Sequence, residues 1–312
     1  MPQSVPLLML CPQSEAHRAL IAGHFDLFYA PTPAEREAAI ATHGARFRAV
    51  LTIGTIGLTA AEMAAMPALE LVCAMGAGYE NIDVPAARAR GIVVANGAGT
   101  NDDCVADHAF GLLIAVTRGI PRLDRLCREG VWRDVIPLPP NVSGKRLGIL
   151  GLGTIGRKIA RRAEGFDMAI GYHNRRPKAD SAYRYFDSLP ALAEWCDILV
   201  VATPGGADTR HLVDAAVLDA IGPRGFIVNI ARGSVVDTEA LAAALRDGRI
   251  GGAGLDVYES EPKRPEALVG LDNVVLTPHM AGWSPEAVQA SVQRFIDNAE
   301  GHFSGRGAVS PV

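Results

Sequence analysis

An apolar run, Leu147–Leu150, enters Gly151-Leu-Gly153-Thr-Ile-Gly156 without a break, and an amphipathic stretch follows it. No other segment constrains the fold as tightly. A G-x-G-x-x-G string alone arises readily in a chain with 33 glycines, but between a strand and a helix it acquires a mechanical meaning. Gly151 permits a tight turn, Gly153 lets backbone approach a pyrophosphate, and Gly156 lets the helix pack close to the strand. Unpaired N–H groups at the helix start then face the phosphate charge. The segment predicts a dinucleotide site. The bland alternative, a strand–turn–helix with no ligand, is disfavoured by the complete strand-to-helix context.

That unit opens the second of two βα series. Residues 5–96 alternate the apolar runs Val5–Leu10, Phe25–Tyr29, Ala49–Ile53, Leu69–Cys73 and Ile92–Val94 with amphipathic stretches such as Pro33–His43. A long helix is expected from Asp102 to Thr117, opened by a capping-box-like pair, Thr100 and Asp103. Residues 118–140 carry Arg118, Arg122, Arg125, Arg128 and Arg133 and end in PLPP, which reads as an excursion closed by a stiff connector. The second series spans Arg146 to Pro278, with strands at Leu147–Leu150, Ala169–Tyr172, Ile198–Ala202, Phe226–Ile230, Gly254–Val257 and Val274–Leu276. Pro285–Phe303 reads as a closing helix. Such alternation predicts parallel sheets covered by helices, and 312 residues suit two of them. Whether the closing helix returns to the first series is left open by the pattern.

Charge and cysteine usage exclude several classes. Thirty basic against 34 acidic side chains give a net charge of −4, which offers no footprint for nucleic acid or an anionic membrane. The five cysteines (Cys11, Cys73, Cys104, Cys127, Cys196) are scattered and form no C-x-x-C pair, so neither a metal site nor a disulfide framework is indicated. Reduced thiols point to the cytoplasm. No apolar stretch approaches the ~20 residues of a membrane span, and Val5–Leu10 lacks the preceding positive charge of a signal peptide.

The end of the second strand of this series bears on which dinucleotide binds. A ribose-reading acid usually lies ~20 residues beyond the first glycine. Here the sequence is Gly171-Tyr-His-Asn-Arg-Arg-Pro-Lys178, with Asn174 following Gly151 by 23 positions. Asn174 removes the carboxylate that would repel a phosphate, and Arg175 and Arg176 can grip one with forked, charged donors. Alone the pair would read as a solvated basic turn. At this position it predicts NADP, with NADPH preferred over NADH.

Three further stretches place a charged or titratable group just after an apolar run: Val228-Asn-Ile-Ala-Arg232-Gly-Ser, Gly254-Leu-Asp-Val-Tyr-Glu-Ser-Glu261-Pro, and Leu276-Thr-Pro-His279-Met-Ala-Gly282. Singly, Arg232 reads as a surface ion pair, Glu261 as a loop charge and His279 as a satisfied loop histidine. Together they belong at the carboxyl ends of parallel strands, where such folds bind ligands. In this order, and with the Gly76-Ala-Gly-Tyr-Glu-Asn-Ile-Asp83 loop, the chain resembles the D-isomer-specific 2-hydroxyacid dehydrogenases over nearly its whole length. It looks most like their NADP-dependent glyoxylate/hydroxypyruvate reductases.

The resemblance implies an α/β fold of two doubly wound parallel-sheet domains, a Rossmann nucleotide domain inserted into a flavodoxin-like substrate domain. The expected parts are substrate domain 1–98, nucleotide domain 99–285 and closing helix 286–312. It implies hydride transfer from NADPH to a small 2-oxo acid, giving the D-2-hydroxy acid. Arg232 would hold the substrate carboxylate and carbonyl, His279 would be the acid/base, and Glu261 would orient it. Ala77 and Gly78 would offer backbone N–H groups to the carboxylate. Thr154, Ile155, Thr203, Ile230, Asp256 and Gly282 would contact the cofactor. The chemistry suits these residue types, because an imidazolium beside a carboxylate can protonate a carbonyl oxygen near neutral pH while an arginine fixes the carboxylate.

Two sites depart from the family pattern. Asp107-His108 replaces a Glu-His pair in the long helix, and Trp283 stands where a smaller residue is common. Trp132 resembles a residue that related reductases extend into the partner subunit's active site, although packing at a homodimer interface accounts for it equally well. The pocket candidates Met75, Tyr79, Trp132 and Trp283 leave the substrate open among glyoxylate, hydroxypyruvate, 2-ketogluconate and an aromatic 2-oxo acid. A nucleotide-sensing scaffold of the corepressor kind is the alternative from another class; the lack of long tails and of a basic surface favours the enzyme.

Overall fold

The computed structural model describes residues 5–312. The chain forms two compact units, one from the residues up to Asn101 together with Gly282–Val312, the other from Asp102–Ala281.

In the first unit β1 (Pro6–Met9), β2 (Asp26–Tyr29), β3 (Ala49–Ile53), β4 (Leu71–Met75) and β5 (Val93–Asn96) form one parallel sheet in the order β2-β1-β3-β4-β5. This is the flavodoxin-like doubly wound order. Successive side chains point to opposite faces, and both faces are buried, so the strands read as unbroken apolar runs. Leu8, Val50, Val72 and Val94 enter one core, while Leu7, Met9, Leu51, Leu71 and Cys73 enter the other. The second core is closed by helix Pro285–Phe303 through Val292, Phe295, Ile296 and Ala299, so the last helix does return to the first sheet. Ser284 caps that helix by accepting the Ala287 N–H, and Pro285 occupies a first-turn position that needs no donor.

In the second unit β6 (Arg146–Leu150), β7 (Ala169–His173), β8 (Arg184–Tyr185), β9 (Ile198–Val201), β10 (Phe226–Asn229), β11 (Gly252–Leu255) and β12 (Val274–Leu276) form a second parallel sheet. Its order is β12-β11-β10-β9-β6-β7-β8. The sheet therefore winds outward in both directions from β6 and β9, the Rossmann arrangement. Helix Asp102–Arg118 packs on it through Leu112, Leu113 and Val116. Helix Ile120–Arg128 buries no residue, and Leu138 of the following excursion is 95% exposed.

Several boundaries differ from the sequence reading. The units divide after Asn101 and Ala281 rather than after 98 and 285. Residues 98–100 are tied to the closing helix, where Arg294 donates to Ala98 O at 2.9 Å and the Thr100 and Ser291 hydroxyls meet at 2.8 Å. Gly282 therefore belongs to the first unit. The strand expected at Gly254–Val257 is Gly252–Leu255, because helix Asp102–Arg118 lies so close that a Cβ on Gly254 would sit 3.1 Å from Leu112. A strand led by glycines has no apolar run to betray it. Leu69 bonds back to Met66 in a turn, so β4 starts two residues later than expected. The two-residue β8 was not foreseen.

Candidate active site

Each half of the second unit contributes one part of the site. On the β6 side, Gly151 takes φ 102° at the strand end, and a Cβ there would lie 2.7 Å from Ala202 O. A Cβ on Gly156 would lie 2.2 Å from Gly151 O, so only glycine lets helix Thr154–Glu164 start this close to the turn. The space beside Gly153 is open, and no side chain caps the helix. Its first N–H groups are thus left for an acceptor from outside the chain, which suits a pyrophosphate. Thr154 is exposed, Ile155 and Thr203 are half-buried, and Ile230 is buried.

Asn174, just past β7, reaches back to this turn, its Oδ1 accepting the Leu152 N–H at 2.6 Å. A carboxylate could accept the same bond, so the consequence of asparagine here is the missing charge. Arg175 and Arg176 follow, both exposed and without an acidic partner among the described residues. Other arginines of this unit are paired: Arg146 with Asp197 at 2.8 Å, Arg157 with Asp180 at 2.6 Å and Arg162 with Asp107 at 2.6 Å.

Beyond the carboxyl ends of β10, β11 and β12 lie Arg232, Glu261 and His279. Asn229, at the end of β10, is buried, and its side chain shapes the Arg232 loop. It accepts the Ala231 N–H and donates to Arg232 O, each at 3.0 Å. The Arg232 guanidinium donates to Ala231 O at 2.6 Å, and its stem packs on Gly205. The Tyr258 hydroxyl shares its one proton between Thr277 O at 2.7 Å and Leu255 O at 3.0 Å, clamping the β11 exit to the β12 exit. Its backbone N–H donates to Glu261 Oε1 at 2.7 Å, and Glu261 Oε2 stands 2.7 Å from His279 Nδ1. With Nδ1 so engaged, Nε2 is the ring nitrogen left to meet a substrate.

His279 holds φ 55°, a left-handed conformation costly for a residue with a Cβ. Asp256 secures it. Its backbone oxygen accepts the His279 N–H at 2.8 Å, Oδ1 accepts the Met280 N–H at 2.8 Å, and Oδ2 accepts the Ala281 N–H at 2.8 Å. Burial pushes the Asp256 carboxyl up, but the bonds from His108, Thr277, Ala281 and Met280 outweigh it and hold it below the usual carboxylate range. The hydrogen bond to Glu261 is the largest influence on His279. Burial and the Arg232 charge oppose it, the Glu261 and Asp256 charges reinforce it, and the imidazole stays protonated above its ordinary pKa of 6.5.

In the first unit, Ala77 and Gly78 follow β4 in a loop anchored by Asn96, which donates from Nδ2 to Ala77 O at 2.8 Å. Their assignment as carboxylate donors rests on the resemblance. Gly282 packs on Asn101, where a Cβ would lie 2.6 Å from Nδ2. The sequence reading missed Asn229, Tyr258 and Thr277, and saw Asp256 only as a cofactor contact. An acid directly after a buried strand was the available signal for its structural work. Among the described residues no group of His, Cys, Asp and Glu could hold a metal ion, and no helix is long and apolar enough to cross a membrane.

Known proteins are similar to this chain in sequence and fold. A family model described as D-isomer specific 2-hydroxyacid dehydrogenase, NAD binding domain, matches residues 110–281. Glyoxylate/hydroxypyruvate reductase A HPR2 of Arabidopsis thaliana is 40% identical over 311 residues, 99% of each chain. Hydroxyphenylpyruvate reductase of Plectranthus scutellarioides is 40% identical over 312 residues, again 99% of each. The NADPH-dependent glyoxylate/hydroxypyruvate reductase of Sinorhizobium meliloti, solved with NADP and malonate, superposes with a TM-score of 0.91 at 37% identity, covering 99% of this chain and 97% of that one.

Proposed function

The chain belongs to the D-isomer-specific 2-hydroxyacid dehydrogenases, and from that premise we propose that it reduces glyoxylate and hydroxypyruvate to D-2-hydroxy acids with NADPH. The observation that carries the reading is the 2.7 Å contact between His279 Nδ1 and Glu261 Oε2, with Arg232 close enough for its charge to act on the imidazole. When bound, the nicotinamide supplies the hydride for the substrate's C2. Arg232 holds the carboxylate with two parallel bonds and sets the carbonyl in place. His279 gives its Nε2 proton to the carbonyl oxygen, and Glu261 stabilises the imidazolium before that transfer. The open N-terminus at Gly153–Thr154 would take the pyrophosphate, and Thr203 and Ile230 would line the dinucleotide.

The deciding experiment follows NADPH and NADH oxidation against glyoxylate, hydroxypyruvate, 2-ketogluconate and hydroxyphenylpyruvate. Turnover highest with the two small acids supports the proposal. A preference for hydroxyphenylpyruvate would favour the second reading, a reductase of larger 2-oxo acids, which the equally identical Plectranthus enzyme supports. Dinucleotide binding with no turnover on any acid would return the scaffold reading.

Preference for NADPH rests on Arg175 and Arg176. Replacing both with alanine is expected to raise the KM for NADPH about 10- to 100-fold, the value of charge-assisted bonds to one phosphate, and to leave the KM for NADH nearly unchanged. An equal effect on both cofactors would remove the phosphate from the argument.

The acid role carries a direction in pH. Reduction needs the imidazolium, so the rate holds at low pH and falls as pH rises through the His279 pKa. Glu261 raises that pKa. Glu261→Gln is therefore expected to move the alkaline limb of kcat/KM to lower pH, and an unmoved limb would separate Glu261 from the proton.

We further propose that a second copy of the chain covers the excursion, where Trp132, Val135 and Leu138 are 68%, 77% and 95% exposed. The compartment proposed is the cytoplasm, in keeping with five unpaired cysteines.

A further inference from the structure

We infer that His108 is a positioning residue for His279, acting through Thr277 and Asp256; the inference rests on the acid role proposed for His279. The path begins in packing. His108, Leu112 and Val116 fall four residues apart on helix Asp102–Arg118 and so share a face, while Gly252, Gly254 and Asp256 alternate onto one side of β11 and its exit. Four helical residues advance about 6 Å and two strand residues about 6.6 Å, so the two rows stay nearly in step. Val116 lies against Gly252 and Leu112 against Gly254, where a Cβ would meet them at 2.9 and 3.1 Å. The next step of the same register sets His108 against Asp256, with Nε2 3.4 Å from Oδ1.

Hydrogen bonding then fixes the direction of the relay. Thr277 has one hydroxyl proton and donates it to Asp256 Oδ1 at 2.6 Å. His108 Nε2, 2.9 Å from the same hydroxyl oxygen, must therefore be the donor in that contact. Asp256 is 1% exposed, so its charge is sustained by these donors rather than by water. The same carboxylate holds the Met280 and Ala281 N–H groups, and so the left-handed turn that aims His279. His108 touches none of the groups assigned to substrate. It completes the donor set of the carboxylate that shapes the loop.

The test compares His108→Phe, which keeps a ring but loses the N–H, with His108→Gln, which restores a side-chain N–H donor at similar reach. His108→Phe is expected to lower kcat about tenfold with the KM for substrate and the Kd for NADPH unchanged, and His108→Gln to recover most of that loss. Amide exchange at Met280 and Ala281 in the cofactor-free protein should quicken in His108→Phe and return toward wild type in His108→Gln. Wild-type kcat and exchange in a folded His108→Phe would overturn the inference. So would a folded His108→Gln as impaired as His108→Phe, because ring packing would then be what matters. A wild-type protein that reduces no 2-oxo acid would sink the proposed function, and the exchange rates would still decide the role of His108.

Discussion

His279→Ala is expected to lower kcat for glyoxylate reduction by about 10²- to 10⁴-fold, the usual contribution of a positioned general acid, while NADPH binds with unchanged affinity. The two readouts separate because the parts of the site are built on different strands. The glycine turn and its helix follow β6, and Asn174 follows β7, whereas His279 follows β12. Removing the imidazole leaves the dinucleotide half intact. Alanine adds a complication of its own, since it lacks the polar side chain with which His, Asn and Asp populate the left-handed region more readily than other residues with a Cβ, and the loop is loosened. His279→Asn resolves this, because asparagine visits that region more readily than alanine and yet cannot act as an acid near neutral pH. Both variants should be slow, with His279→Asn melting closer to wild type. Steady-state rates, NADPH fluorescence titration and thermal melts supply the three measurements. Full activity in either variant would assign the proton to another group.

How much of this could be read in advance depends on what each feature leaves in the sequence. Strands such as Ile198–Val201 and Phe226–Asn229 are buried on both faces and declare themselves as apolar runs. β11 does not, because its glycines answer to a helix that is distant in sequence, and β8 is too short to carry any pattern. Ser284 and Pro285 announce the start of the closing helix, and its terminus at Phe303 is equally legible. The candidate residues Arg232, Glu261 and His279 were visible as polar groups following strands, since the carboxyl ends of a parallel sheet are where loops can gather. Their wiring was not. Nothing in Leu276-Thr-Pro-His279 states that His279 takes φ 55°, or that three donors of that loop turn toward a buried Asp256. Those are directions in space, and residue type and spacing encode them only through the packed fold. Asp107-His108 shows the same limit. Read along the helix it looks like one structural pair, yet Asp107 binds Arg162 while His108 faces Thr277.

Arg232 separates binding from proton transfer more sharply than any other position. Its guanidinium is held by Ala231 O and by the stem packed on Gly205, so the fork is already oriented when a carboxylate arrives. Two charge-assisted bonds of about 1.5–3 kcal/mol each, discounted for partial exposure, place the loss of kcat/KM in Arg232→Ala at about 10²- to 10³-fold. Arg232→Lys should recover little of it, because a single ammonium cannot reproduce two parallel bonds. The pH profile distinguishes the two variants. The Arg232 charge lowers the His279 pKa, whereas Glu261 raises it. Arg232→Ala should therefore move the alkaline limb of the reduction rate to higher pH, opposite to Glu261→Gln, while Arg232→Lys keeps the charge and should leave the limb near its wild-type position. A lysine variant with wild-type kcat/KM would show that charge alone suffices and that the fork is not used. An alanine variant whose limb moved to lower pH would break the electrostatic link between Arg232 and His279.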